Sequence, residues 1–250
     1  MRAFFVALLI LGASLGAGAA EVRKYAILSL VGDRLLIVRH VPTVGSNLDR
    51  NLRQFLPLED PSIEKAALLA MDDALRHVDA TATPVLLFSR DAALYSAQMK
   101  LLDEGASSLG LLDAIRELLR GTETTHLVLL TKARDEARLR LRNQSVGSGS
   151  LEGMGFYIDL TLPVVRGDTR EVGTGFLAPF AYFQIALIDL GSGKIVKEER
   201  IRASIARSAA RSEKGDAWNA LSSTEKVRVL QELIRSAIAK AIPALLSPPS

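Results

Sequence analysis

An α/β fold, mixing helices with strands of both directions, is what three observations in this 250-residue chain predict. In the first half, short apolar runs alternate with amphipathic helical stretches, as when crossover helices return a chain to one sheet. In the second half, longer alternating runs separated by turn residues have the pattern of antiparallel strands. A single long amphipathic stretch then closes the chain. Two-layer and three-layer arrangements both satisfy that order.

Residues 1–20, MRAFFVALLILGASLGAGAA, stand before the fold. One basic residue, Arg2, precedes an apolar stretch from Phe4 to Leu15 and then small residues, the layout of a secretory signal peptide. The stretch is too short for a hydrocarbon layer about 30 Å thick, so cleavage after Ala19 or Ala20 and a periplasmic location are expected. Cysteine is absent, so the exported chain would be held by its core rather than by disulfides, and no acylated cysteine can anchor it. Residues 21–246 read as one α/β domain, since 48% hydrophobic content supports a sizeable core, and 247–250 as a frayed tail. The net charge is +3, one unit of it from Arg2, too little to mark a nucleic-acid binder.

KYAILSLVGDRLLIVRHV, from Lys24, holds two apolar strands around Gly32-Asp33, a turn dipeptide that predicts a hairpin. PTVGSNLDRNLRQFLPLED, which follows, lacks a period and reads as a loop. From Pro61 onward Ile63, Ala67, Ala70, Met71, Ala74 and Val78 recur on one helix face, with Asp60 as its cap. Pro84 to Ser89 is a short buried strand, Asp91 to Asp103 and Ser108 to Arg120 are helices broken near Gly105, and HLVLLTKA is another buried strand. Alternating stretches follow at Ala137 to Arg142, Phe156 to Leu162, Phe180 to Leu190 and Lys194 to Ile205, with turns at Gly167-Asp168 and Gly191-Ser192-Gly193. Arg207 to Asn219 is polar and non-periodic, the most mobile internal segment by composition. Ser222 and Glu225 then form a capping box ahead of a stripe running from Val227 through Leu230, Ile234 and Ile238 to Ile242.

Candidate chemistry is sparse. Leu36 to Arg39-His40 resembles the opening strand of the histidine phosphatase superfamily, in which the histidine is phosphorylated during turnover. That resemblance implies catalytic roles for Arg39 and His40 in a phosphomonoesterase. Val41 stands where the family has a glycine, and a β-branched side chain has neither the freedom nor the room that a phosphate approach needs. The other histidines, His77 and His126, are not placed after strands, and no His or acidic cluster has metal-ligand spacing, so neither metal nor cofactor is expected.

SVGSGSLEGMGF places Gly147, Gly149, Gly153 and Gly155 before a strand rather than a helix, which favours a bulged hairpin or ligand loop over a phosphate cradle. Gly173 and Gly175 are expected beside it, as the other arm of the same hairpin. Arg138, Arg140 and Arg142 share one strand face, with Arg134 just upstream. Such a face either guards a sheet edge or meets the acids of a lipid, glycan or protein partner.

The order of elements is similar to that of exported bacterial α/β proteins: the CsgG-like proteins of curli secretion, the TolB N-terminal domain and the LpoB-type accessory domains, whose fold is related to anticodon-binding domains. Ala26 to Leu30 matches their opening strand, and IALIDLGSGKIV, Ile185 to Val196, looks like their late hairpin. The resemblance implies a non-catalytic role in the envelope, binding or assembly, with an unidentified protein or envelope ligand as partner and no nucleic acid. Two alternatives stand beside it: a phosphomonoesterase using His40, and an envelope protein in peripheral contact with the membrane.

Overall fold

The computed structural model describes residues 23–42, 49–104, 109–141, 144–165, 172–208 and 217–247. The signal-like residues, Arg142, the Gly167-Asp168 turn, the helix break at Gly105, most of 207–219 and the last three residues lie outside these. Tyr25–Ser29 forms β1, buried at all five positions. A strand apolar on both faces belongs inside a covered sheet, and β1 runs between two parallel neighbours, β4 (Val85–Leu87) and β5 (His126–Lys132).

The hairpin expected at Gly32-Asp33 does not form. Leu30 N–H is bonded to Leu130 O at 2.9 Å and Gly32 N–H to the Glu64 carboxylate at 2.5 Å, so the chain carries on past β1 instead of folding back on it. β2 (Arg34–Arg39) joins the sheet further along, parallel to β9 (Ser150–Val165) and antiparallel to β3 (Leu52–Pro57). β3 itself lies in the stretch read as a loop. Its residues are exposed or half-exposed throughout, so it lacks the alternation that marks a strand with one buried face.

The long strand β10 (Val172–Asp189) organises the rest. One of its edges pairs with β9 as far as Tyr182 and with β5 from Phe183 onward, so β5 and β9 lie end to end. They meet where Ala133 N–H donates to Tyr182 O at 2.9 Å and Gly153 N–H to Ala133 O at 3.1 Å. The other edge takes β11 (Ile195–Ser204) and β12 (Arg207–Ser208). With β6 (Arg134–Glu136) on β9, ten strands form one mixed sheet of order β3-β2-β9-β10-β5-β1-β4, and β7 (Leu139–Leu141) with β8 (Gln144–Val146) makes a second, small one.

Helices α1 (Ser62–Val78), α2 (Ala92–Glu104), α3 (Leu109–Leu118) and α4 (Ser223–Leu246) cover the sheet. Because side chains alternate across a strand, Tyr25 and Ile27 join the core under α1 and α4, whereas Ala26 and Leu28 join the core under α2 and α3. Over β9 and β10 that second face is covered instead by the small sheet, with Leu139 packed on Tyr157, Phe180 and Tyr182. The arrangement is three-layered. Asp60 accepts the Ser62 N–H at 2.8 Å, and the capping box of α4 is complete, although Val227 at the start of its stripe is exposed. No helix among the described residues is long and apolar enough to cross a membrane.

Candidate functional site

β11 is the strand at which charge collects. Its Ile201 is buried in the core beneath α4, while Arg200 and Arg202 on either side are exposed. β7 lies against the end of β11, with Arg140 N–H donating to Ser204 Oγ at 2.9 Å and Ala206 N–H to Arg140 O at 3.2 Å. Arg138 N–H donates to the buried Tyr182 hydroxyl at 2.9 Å, fixing the start of β7. With α4 as the third wall, these elements enclose a groove of about 450 Å³.

Five cations, Arg138, Arg140, Arg200, Arg202 and Lys240, line it against one carboxylate, Glu199. Arg138 is paired with Glu136 at 2.9 Å, which raises its pKa, and Arg202 with Asp135 at 2.5 Å. Among the described residues no carboxylate lies within ion-pair distance of Arg140, Arg200 or Lys240. Arg134 does not join this group, because its guanidinium pairs with Glu152 at 2.5 Å. Arg142, the third arginine of the predicted face, lies outside the described residues. Sequence reading missed Arg200, Arg202 and Lys240; the basic alternation in KEERIR is the signal that held two of them.

A second cluster sits at the carboxyl end of β1, where ligands often bind in α/β sheets. A cleft of about 670 Å³ there is lined by Asp33, Arg34, Arg90, Tyr95 and Met99, among others. Behind it Glu64, 2% exposed, accepts from Gly32 N–H and from the Tyr95 hydroxyl at 3.2 Å. Burial pushes the Glu64 carboxyl above its ordinary range, and its hydrogen bonds only partly oppose that. Lys132, also 2% exposed, is ion-paired with Asp33, and burial lowers its pKa against the pull of that partner. Arg34 donates to Glu152 at 3.2 Å and lies over the Phe55 ring, 4.1 Å from its centre. Asp33, Arg34, Lys132 and Glu152 are spent on one another, while Arg90 donates to the Leu58 and Glu59 carbonyls. The first four brace the junction at which β5 gives way to β9.

His40, just past the end of β2, is held by polar and aromatic neighbours. Its Nδ1 lies 3.1 Å from both Asn51 Oδ1 and Ser148 Oγ, and its ring stacks on Tyr157 at 6.2 Å. Arg39 is exposed. His77 is exposed near the end of α1, and His126 is buried at the start of β5, 2.9 Å from Thr125 Oγ1, so the three imidazoles do not converge. Close by, burial would raise the Asp49 pKa, but bonds from Asn51, Ser150 and Arg53 outweigh it and hold the carboxyl low.

Gly173 and Gly175 lie on β10, the arm of the hairpin opposite Gly153 and Gly155 of β9, as expected, but the two groups are not close together. Gly147 and Gly149 flank Ser148 beside His40, and Gly153 faces Tyr182, but Gly173 faces Val164, about nine strand residues or roughly 30 Å away. Gly175, at φ +87°, occupies the bulge between Thr174 and Phe176, where the left-handed backbone suits glycine. At Gly155 a Cβ would collide with the backbone of Leu36, so this residue permits the close pairing of β2 and β9.

No protein-family model and no curated protein matches the chain. Solved structures with a likeness to it include the PelC dodecamer from Paraburkholderia phytofirmans, 15% identical over 90% of this chain and 89% of that one, with a TM-score of 0.35. The hypothetical protein CT253 from Chlamydia trachomatis is 10% identical over 90% and 99%, with a TM-score of 0.33. A Xanthomonas campestris protein assigned to DUF330 is 8% identical over 90% and 81%, with a TM-score of 0.30. Likenesses at this level carry no inference about what this chain does.

Proposed function

We propose that this chain is exported to the periplasm and acts there as a non-catalytic binding or envelope-assembly protein that holds an anionic partner in the groove between β7, β11 and α4. The observation that carries the reading is the convergence of Arg140, Arg200 and Lys240 with no carboxylate within ion-pair distance of them among the described residues. Cations brought together from three separate elements repel one another, and an anion supplied from outside relieves that repulsion. The layout of residues 1–20 supports export. An envelope role is also what the CsgG-like order of elements implies.

Calorimetric titration with polyglutamate tests the binding. The wild-type protein is expected to bind it with an affinity that falls as salt rises, since exposed charges are screened within about 10 Å at 0.1 M. Arg140→Glu with Arg200→Glu is expected to weaken that binding at least about tenfold. Equal binding by wild type and variant overturns the reading, as does binding indifferent to salt. For the location, a mature chain starting at residue 20 or 21 in the periplasmic fraction is expected, and an uncleaved cytoplasmic chain contradicts it.

A further inference from the structure

β11 pairs with β10 along one edge only, and among the described residues no strand pairs with its other edge. Its ten residues therefore turn a row of N–H and C=O groups away from the sheet. Residues 199 to 204 line the groove in unbroken succession. Successive side chains point to opposite faces of a strand, so a cavity that touches all of them follows the backbone edge and not one face. On the α4 side the wall is built largely of small residues, Ser236, Ala237, Ala241 and Ala244, which leaves room beside that edge.

We infer that the partner enters as an extended, acid-rich polypeptide segment that adds a strand to the outer edge of β11, its carboxylates meeting Arg140, Arg200 and Lys240. This rests on the groove being the anionic-partner site and names the class of partner. A strand edge is satisfied by amide donors and acceptors at strand spacing, which another polypeptide supplies and a lipid headgroup does not. The charges also select the occupant. A second copy of β11 carries Glu198 and Glu199 but also Lys197, Arg200 and Arg202, a net positive strand, whereas an acidic strand is the fuller electrostatic complement.

The test uses the mature chain and three probes: a fluorescein-labelled peptide alternating Glu and Thr, the same peptide N-methylated at every amide so that neither edge can donate, and phosphatidylglycerol vesicles. Anisotropy is expected to show binding of the unmodified peptide. Binding should weaken about tenfold or more on N-methylation, which removes the ladder donors and keeps the charge, and by a similar factor in Arg140→Glu with Arg200→Glu. The replaced side chains are exposed or line the groove, and an unchanged circular dichroism spectrum verifies the fold of the variant. Equal binding of both peptides, each weakened by salt, overturns strand addition and leaves the anionic-partner reading standing. Binding of the vesicles in preference to either peptide overturns it in favour of a membrane contact. If neither peptide nor polyglutamate binds, both readings fall.

Discussion

Glu64 is a residue whose ionisation the fold resists. It lies on α1 beneath the β1–β2 passage, 2% exposed, with its pKa raised above the ordinary 4.5 chiefly by burial. The folded state therefore binds a proton that the unfolded chain releases. Its favourable contribution is complete below pH 4.5 and is lost as pH rises through the raised value. In Glu64→Gln, which cannot ionise, that loss disappears. Urea midpoints measured from pH 4 to 8 should show the variant gaining on the wild type as pH rises, and a constant difference would contradict the account. Gly155→Ala should cost at least the ~1–3 kcal/mol of an overpacked core, because the Leu36 backbone it meets cannot rotate aside; unchanged denaturant stability would contradict this. Gly155 was legible only as one glycine of a bulged hairpin or ligand loop, and Glu64 was not legible as a buried group. Glu64 reads as an ordinary polar position of a helix, and its partners at Gly32 and Tyr95 come from distant parts of the chain.

The elements divide by how far each depends on its neighbours. α1 and α4 carry their own period, α4 with a complete capping box, and they form where the spacing predicts. Ser222→Ala should remove one half of the α4 capping box and cost about 1 kcal/mol, read from the thermal midpoint, with no change of fold. β1, β5 and β10 are legible as strands from their apolar runs, but their pairing is not. The Gly32-Asp33 dipeptide does form a turn, yet β5 and β9 already flank the two apolar runs on a shared β10 edge, and that tertiary arrangement keeps β1 and β2 from pairing with each other. β3 failed the test of alternation because an edge strand with no buried face leaves no pattern to find.

At the scale of the molecule, the groove is assembled from β7, β11 and α4, segments widely separated in the chain. Arg138 and Arg140 were visible as a basic face because they share a short strand. Arg200 and Lys240 join them only through the pairing of β11 with β10 and the packing of α4 across β11. An α4 laid over the core of β10 and β11 leaves one long edge open, and the fold sets its unpaired cations along that edge. Amide hydrogen exchange of the mature chain, with and without the Glu–Thr peptide, tests this claim most directly. The account predicts added protection concentrated in Ile195 to Ser204. Unchanged exchange there, or protection appearing instead along β3, would contradict it.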